Sequence, residues 1–434
     1  MVNPHPRRCG VSSVSPAVLP DPPPEEPRRD LTALPAYAVD SPWSADPDDA
    51  VSVEGAPGGS RTLYVHVADP AASILPDSPA EREARNRGAT LYLPEGTSRM
   101  LAEGALSLFA LGLSEISPAL TFKITLDGAG APTETDIFPS LVKVTRLSYE
   151  EADALAAAAE ADENRSGERG GDRAGAALAE LCLLGERNLR RRREAGAVQI
   201  DLPETHIAVT GGTVTVEPML PRRSAAMVRE CMLLAGEGAA LWAGRRFGGA
   251  FPYIGQEPGD FPKDIPEGLA GSWQLRRCMR PRTLSVRALP HRGLGLEQYT
   301  QVTSPLRRYT DLLAHLQIRA ILGGREPLGE EELILRLGAG EAGARAAAQA
   351  ERASRAHWTA VYLSERNDSV WEGVALEKKG PRGAGPLWTL LIPALGIETQ
   401  AALKNGVKPN DTVRLRLKSA HIPRGEAVFT AEDG

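Results

Sequence analysis

The sequence has few cysteines and no long apolar run. Four cysteines are spread over 434 residues, and none forms a C-x-x-C pair. This spacing argues against a zinc site or a disulfide framework and fits reduced thiols. No stretch of about eighteen apolar residues occurs, so we expect no membrane-spanning segment. Prolines interrupt the N-terminal residues before the apolar core of a signal peptide can form. These absences predict a cytoplasmic protein that does not act on membranes.

The chain also lacks an excess of positive charge and an obvious side-chain nucleophile. Its 50 Lys and Arg face 56 Asp and Glu, which gives a net charge of −6. A nucleic-acid-binding protein is usually basic, so such a partner would need a local basic groove. No Ser-His-Asp or Cys-His arrangement is evident. The length suffices for two or three domains, and the 42% hydrophobic content is that of a globular protein.

Four carboxylates lie close together near the start of the chain, with the spacing D-x5-D-x-D-D. They are Asp40, Asp46, Asp48 and Asp49. Neighbouring like charges disfavour each other's ionisation, and a bound cation reverses that effect. Short apolar runs precede and follow the segment, which places it between two predicted strands. We therefore predict a site for Mg²⁺, with Mn²⁺ as an alternative ion and an acidic surface loop as the alternative structure.

A second motif, YTQVTSPLRRYTDLLAH, spans residues 299–315. Pro305 is suited to a helix start, so the pattern predicts a capped helix with two arginines in its first turn. Such an arrangement offers N–H donors, hydroxyls and guanidinium groups to a phosphate. The residues concerned are Thr303, Ser304, Arg307 and Arg308. The alternative is that Arg308 simply pairs with Asp311 three residues later.

The remaining patterns predict an α+β protein with three regions. Residues 1–35 are proline-rich and should form a disordered leader. Residues 36–366 should form the main domain, with strands first and helices after, including a final helical segment. Residues 367–434 contain short strand-like runs separated by Gly, Pro and Asn, which is typical of a small β-barrel. Further predicted elements are a strand in RTLYVHVAD, helices at Asp77–Thr90, Met227–Leu241 and 329–366, a capping box at Ser148 and Glu151, and a Gly-rich break at Asn164–Arg173.

Together these motifs resemble the RNB-type catalytic domain of the ribonuclease II and ribonuclease R family. The matching blocks occur in the family's order over about residues 36 to 325. They are VDSPWSADPDDA, LYVHVADPAA, EREARNRGATLYLPEG, RECMLLAGEGAA and LGLEQYTQVTSPLRRYTDLLAH. The resemblance implies a mixed sheet surrounded by helices with an RNA channel, followed by a small OB-fold β-barrel that binds RNA.

The resemblance also implies roles for individual residues. The four aspartates fall on the family's catalytic metal ligands, and Asp48 matches the one whose loss abolishes cleavage but not RNA binding. Arg307 matches the arginine at the scissile phosphate, and Tyr92 the tyrosine that stacks on the 3′-terminal nucleotide. Glu230 matches an acid that holds the terminal ribose, although Arg229 stands where the family has a second acid. Near AVQIDLPE we find no counterpart of the family's base-clamping phenylalanine.

The implied function is a Mg²⁺-dependent 3′→5′ exoribonuclease that degrades single-stranded RNA to nucleoside 5′-monophosphates, in a monomeric, short bacterial member. A catalytically silent RNA-binding protein of the same fold is one alternative. A phosphodiesterase acting on DNA or short oligonucleotides is another. Family members commonly carry two cold-shock-type domains before the catalytic one, whereas here a proline-rich leader precedes it. We therefore expect a more open channel and weaker anchoring of long RNA.

Overall fold

The structure is a computed structural model that describes residues 3–55, 61–166, 173–366, 368–382 and 385–432. Its helices are α1 (His5–Arg8), α2 (Pro79–Arg87), α3 (Ala105–Phe109), α4 (Tyr149–Ser166), α5 (Arg173–Glu194), α6 (Arg223–Arg246), α7 (Gly268–Cys278), α8 (Tyr309–Leu322) and α9 (Glu330–Ser364). The predicted helices correspond to α2, α6 and α9. Most of the predicted Gly-rich break, 167–172, lies outside the described residues.

The strands form one large sheet, a barrel and three two-stranded pairs. They are β1 (Arg29–Asp30), β2 (Ala36–Asp40), β3 (Asp49–Glu54), β4 (Arg61–Ala68), β5 (Leu91–Leu93), β6 (Gly96–Ser98), β7 (Ser117–Leu126), β8 (Pro132–Val142), β9 (Val144–Ser148), β10 (Glu204–Thr210), β11 (Thr213–Met219), β12 (Tyr253–Gln256), β13 (Arg282–Ser285), β14 (Val370–Arg382), β15 (Gly385–Ile392), β16 (Ile397–Ala402), β17 (Thr412–His421) and β18 (Glu426–Ala431).

The large sheet has seven strands in the order β1-β8-β7-β4-β3-β2-β9. It is mixed, as expected, because β1 pairs with β8 and β2 with β9 in parallel, whereas the other pairs are antiparallel. Strand β4 confirms the strand predicted from RTLYVHVAD. Its residues Leu63, Val65 and Val67 are buried in one core with side chains of α5 and α6. Residues on its other face are buried too, so the sheet is covered on both sides.

A chain of polar side chains crosses the centre of this sheet. The buried His66 ring bonds to Ser52 Oγ at 3.0 Å on one side and to Thr121 Oγ1 at 2.8 Å on the other. Thr121 Oγ1 in turn lies 2.6 Å from Ser140 Oγ. Four neighbouring strands, β3, β4, β7 and β8, therefore share one buried network. His66 has a structural role here, because each ring nitrogen already has a partner.

His66 should make stability depend on pH. Burial lowers the pKa of His66 from 6.5 to about 3, so the ring stays neutral in the folded protein at mildly acidic pH. The unfolded chain binds a proton below about pH 6.5, and the free energy of unfolding therefore falls as pH decreases from 6.5 towards 3. Because of this histidine alone, the free energy of unfolding should be about 2 kcal/mol lower at pH 5 than at pH 7.5.

Chemical denaturation at pH 7.5 and pH 5 would measure the effect. His66→Gln keeps a polar side chain that does not titrate, so its stability should change less between the two pH values than that of the unaltered protein. His421→Gln, at an exposed position, serves as the matched control and should keep the full dependence. If the free energy of unfolding changed by the same amount between the two pH values in all three proteins, His66 would not be the source of the pH dependence.

The C-terminal strands form the predicted small barrel. The order β16-β15-β14-β17-β18 brings the edge strands β16 and β18 against each other, so the five-stranded sheet nearly closes. Its interior contains Trp388, Leu390, Leu415 and Phe429. The barrel packs against α7 and α9, and Asn410 fixes one contact by accepting the N–H of Ala270 at 2.9 Å. The long helix α9 leads directly into this unit.

The proline-rich leader contacts the main domain in the structure. Residues 3–35 run over the surface of the main domain and make specific polar contacts. Asn3 Nδ2 donates to Ser354 Oγ of α9 at 2.8 Å. Arg28 pairs with buried Asp69 at 3.0 Å, and Asp69 also accepts from Arg319 of α8. These partners are distant in sequence, so the leader's composition, on which the prediction of disorder rests, does not indicate them.

The cysteines and the apolar character of the helices bear on two of the predictions. The four cysteines are free thiols, and Cys182 and Cys231 are buried. Within the described ranges, none of the helices combines the length and the apolar character needed to cross a membrane.

Candidate active site

The topology of the large sheet brings the acidic segment to one edge. Strands β2 and β3 are antiparallel neighbours, so the end of β2 and the start of β3 meet at the same edge. Asp40 is the last residue of β2 and Asp49 the first of β3. Strand β9 runs parallel to β2 and ends opposite Asp40. Tyr149, which follows β9, therefore reaches the same edge, where its hydroxyl lies 3.5 Å from Asp40 Oδ1.

Asp48 is the most constrained of the four aspartates. It is buried, and its Oδ1 accepts the backbone N–H of Leu306 at 2.8 Å. Its Oδ2 accepts from Arg307 Nε at 3.1 Å. Burial raises the pKa of Asp48 to about 8, although the Arg307 charge opposes that shift. Burial likewise raises the pKa of Asp49 to about 7. The protein thus holds two neighbouring carboxyls where ionisation is unfavourable without additional positive charge.

The segment that supplies Arg307 is a turn followed by a helix. Helix α8 begins at Tyr309, and Arg308 has extended backbone angles at its N-cap. The prediction that Arg307 and Arg308 lie in the first turn of a helix starting at Pro305 is therefore wrong. Asp311 explains the difference, because its Oδ1 accepts the Ser304 N–H at 2.8 Å and so fixes the preceding turn. The alternative pairing is confirmed: Arg308 Nη2 donates to the same oxygen at 2.7 Å.

Asp46 and Tyr92 form a separate pair beside these residues. The Tyr92 hydroxyl donates to Asp46 Oδ2 at 2.8 Å, and Arg99 Nη1 donates to the same oxygen at 2.8 Å. The Tyr92 backbone N–H is held by Glu351 of α9 at 2.7 Å. The residue as a whole remains 40% exposed. Tyr92 is therefore fixed at its backbone and hydroxyl while part of the residue faces solvent.

Most of the predicted site residues line one cavity of about 260 Å³. Seven predicted residues line it: Asp40, Asp48, Asp49, Thr303, Ser304, Arg307 and Arg308. Asp46 and Tyr92 do not line this cavity, although the charges of Asp46 and Asp48 add to burial in raising the pKa of Tyr92. Carboxylates, hydroxyls and guanidinium groups thus converge from two segments that are more than 250 residues apart in sequence.

Glu230 does not join this group. Its side chain is 1% exposed and pairs with Arg192 of α5, with distances of 2.6 and 2.9 Å. Asn188 Nδ2 donates to it as well, at 3.0 Å. The neighbouring Arg229 lines the cavity instead, with its side chain 55% exposed. The family resemblance implies an acid at the terminal ribose here; in the structure Arg229, a cation, lines the cavity and Glu230 does not.

Sequence reasoning missed several residues around the cavity. Tyr149 and Tyr299 line it, and Arg99 neutralises Asp46. Arg99 and Arg307 both pair with the acidic segment, although both are distant from it in sequence. A signal for Tyr149 existed, because it lies within the confirmed Ser148–Glu151 capping box. No local signal indicated Arg99.

The carboxylate oxygens of the site are ligands suited to a hard divalent cation, but in the structure some of them accept hydrogen bonds from arginines instead. Asp40, Asp48 and Asp49 offer oxygen ligands of the kind that Mg²⁺ and Mn²⁺ prefer. A cation among them would lower the raised pKa values of Asp48 and Asp49. In the part of the chain that the structure describes, however, no three His, Cys, Asp or Glu side chains are grouped so as to hold a metal ion. Asp46 and Asp48 instead accept hydrogen bonds from Arg99 and Arg307.

Comparisons with known proteins agree with this geometry. The RNB domain family matches residues 28–268 and 263–324. An uncharacterized ribonuclease of Synechocystis is 34% identical over 96% of this chain. Ribonuclease II, chloroplastic/mitochondrial, of Arabidopsis thaliana is 30% identical over 93% of this chain. The fold is similar to that of Mycoplasma genitalium RNase R in complex with ribose methylated single-stranded RNA, with a TM-score of 0.74 and 19% identity over 94% of this chain and 72% of that one.

This chain is shorter than the curated relatives, so it does not match them from end to end. This chain spans 62% of the Synechocystis protein and 50% of the Arabidopsis protein. The family match nevertheless includes both the acidic segment at the end of β2 and the turn that carries Arg307, which are the two parts of the cavity. With this match over more than half of its residues, the chain belongs to the RNB domain family.

Proposed function

We propose that this protein is a hydrolytic 3′→5′ exoribonuclease that requires Mg²⁺, or Mn²⁺ in its place, and converts single-stranded RNA to nucleoside 5′-monophosphates. One observation carries the proposal. The buried Asp48 carboxylate meets the Arg307 side chain and the Leu306 N–H in a cavity that also contains Asp40 and Asp49. Acidic oxygens for a cation and a guanidinium for a phosphate thus lie side by side.

Phosphodiester hydrolysis requires an activated water, neutralised phosphate oxygens and a stabilised leaving oxygen. Asp40, Asp46, Asp48 and Asp49 would hold the cation, which when bound would supply a polarised water and stabilise the leaving oxygen. Arg307 would donate to the phosphate, since its side chain remains 41% exposed beside Asp48. Arg308, Thr303 and Ser304 would add donors on the same side of the cavity.

Tyr92 would stack on the nucleotide at the 3′ end. Its ring is partly exposed while its hydroxyl and backbone are held by Asp46 and Glu351. A fixed aromatic ring loses little conformational freedom when a base packs on it. We leave Glu230 out of the proposed site because Arg192 already pairs with it inside the protein.

We further propose that residues 367–434 form an OB-fold RNA-binding domain and residues 36–366 the catalytic domain. Helix α9 ends at Ser364 and the first barrel strand begins at Val370, which supports a division between them. The cations of β17 are less available than their sequence indicates. Arg414 and Arg416 both pair with Glu432, so RNA would have to compete for them or use other residues of the barrel.

A gel time course tests the proposal directly. Single-stranded RNA labelled at its 5′ end should shorten stepwise and release mononucleotides, because degradation starts at the opposite end. RNA blocked at its 3′ end and DNA of the same sequence should persist. Excess chelator should stop the reaction, and added Mg²⁺ or Mn²⁺ should restore it, since Asp48 and Asp49 are buried where a cation is needed to favour ionisation.

Other outcomes would identify the alternatives. RNA binding without any cleavage at added Mg²⁺ or Mn²⁺ would indicate a catalytically silent RNA-binding protein. Equal cleavage of RNA and DNA would indicate a less selective phosphodiesterase. Turnover that persists at full rate in excess chelator would contradict the proposed role of the aspartates.

A further inference from the structure

An exposed tryptophan lies in the loop that joins Asp40 to Asp49. The Trp43 side chain is 50% exposed. One face of its indole stacks on the His206 ring, with ring centroids 4.0 Å apart and an angle of 18° between the planes. Large aromatic side chains are usually mostly buried in a folded protein. A half-exposed ring that is supported on one face is suited to receive another flat group on its exposed part.

The support under Trp43 is firmly attached. His206 belongs to β10, and its neighbours Thr205 and Ile207 on the opposite face are buried. Ile207 packs against Trp358 of α9, and Arg355 of the same helix donates to the Thr205 carbonyl at 3.0 Å. Burial lowers the pKa of His206, so its ring is neutral at pH 7 and stacks without adding charge.

The loop itself is held at two further points. Arg146 Nη2 donates to the Ser44 carbonyl at 2.9 Å, and Asp46 is bound by Tyr92 and Arg99. The β10 strand also reaches the neighbourhood of Tyr92, because the Val209 N–H donates to the Pro94 carbonyl at 2.8 Å. Trp43 and Tyr92 are thus two partly exposed aromatic rings presented by interconnected segments beside the acidic residues.

The distance from the proposed reaction site limits what Trp43 could contact. Asp46 follows Trp43 by three positions, which corresponds to at most about 11 Å between their Cα atoms along an extended chain. Stacked nucleotides rise about 3.4 Å each. Trp43 therefore lies within about three nucleotides of a 3′ end held near Tyr92.

We propose that Trp43, supported by His206, is a stacking site for a base of the single-stranded RNA about three nucleotides from its 3′ end. This inference rests on the proposed function and adds a binding residue that the family motifs do not indicate. Stacking on an aromatic ring tolerates any base, because every base has a π face. The site would hold the strand without selecting a sequence.

Binding measurements on the uncleaving Asp48→Asn protein test this site. Trp43→Ala should weaken binding of a fluorescent ten-nucleotide RNA by about 5- to 150-fold, the equivalent of about 1–3 kcal/mol for one stacked base. Trp43→Phe should retain most of the affinity. Binding of a dinucleotide should not change, because it is too short to reach Trp43. Phe247→Ala, which removes another partly exposed ring (37% exposed) at the end of α6, is the matched control and should bind normally.

A scan with a single abasic nucleotide separates stacking from a merely structural role. In the Asp48→Asn protein, one abasic position near the third nucleotide should weaken binding, and Trp43→Ala should remove that penalty. If every abasic RNA loses the same affinity with and without Trp43, or if Trp43→Ala weakens dinucleotides equally, Trp43 only secures the loop and the inference is overturned. If the Asp48→Asn protein binds no RNA at all, the proposed function fails first.

Discussion

Replacing Asp48 with asparagine should reduce RNA hydrolysis by about 10³-fold or more and leave RNA binding within a few fold of normal. The buried carboxylate accepts a hydrogen bond from Arg307 and is close enough to Asp46 and Asp49 to feel their charges. An amide cannot carry the negative charge that a cation and its polarised water require, and losses of one such group commonly reach this size. Single-turnover cleavage and filter binding of the same RNA would measure the two effects.

The fold should tolerate this change. Burial already raises the pKa of Asp48 to about 8, so a neutral group of the same shape suits the position. The asparagine carbonyl can still accept the Leu306 N–H. Asp264→Asn, in an exposed loop position, is the matched control and should cleave normally. Retained turnover in the Asp48→Asn protein, with metal content unchanged, would remove Asp48 from the proposed mechanism.

The second large effect is expected at Arg307. Arg307→Gln should lower kcat by about 10²- to 10³-fold, because charge that develops on the phosphate oxygens would lose its guanidinium donor. The dissociation constant for long RNA should change much less, since binding is shared among many contacts. Arg307→Lys should recover only part of the activity, as an ammonium cannot donate in the planar, two-point manner of a guanidinium.

Stability must be measured alongside, because Arg307 also pairs with buried Asp48. The double variant Asp48→Asn/Arg307→Gln leaves no unpaired charge and should be as stable as the Asp48→Asn protein. Arg325→Gln, on the exposed segment after α8, is the matched control for removing a positive charge. A normal kcat for Arg307→Gln would show that the phosphate is neutralised elsewhere, with Arg229 and Arg308 as the remaining cavity cations.

Part of this structure could be predicted from sequence because the signals are local. The alternating pattern of RTLYVHVAD, the capping box at Ser148 and the helix periodicity from Met227 each depend on a few neighbouring residues, and all three are confirmed. The acidic cluster was visible for the same reason. The family resemblance supplied what local patterns could not, namely that Arg307 belongs with residues more than 250 positions earlier.

The differences concern polar contacts that composition and short patterns do not reveal. The leader contacts Asp69 and Ser354, which its own composition does not indicate. The start of α8 differs from the prediction because the Asp311 side chain binds the Ser304 N–H, seven residues earlier in the preceding turn. Arg192 lies on another helix, yet it pairs with Glu230, which does not line the cavity. In each case a specific side-chain contact, and not the local sequence preference, sets the arrangement.

The separation between Asp48 and its partners has a consequence for synthesis of the protein. The two donors that hold this carboxylate, from Leu306 and Arg307, follow it by 258 and 259 residues. At about 5–20 residues per second, a ribosome needs roughly 13–50 s to make that stretch. During this interval the nascent chain carries its acidic loop without Arg307, so the proposed active site can assemble only after most of the domain has left the exit tunnel.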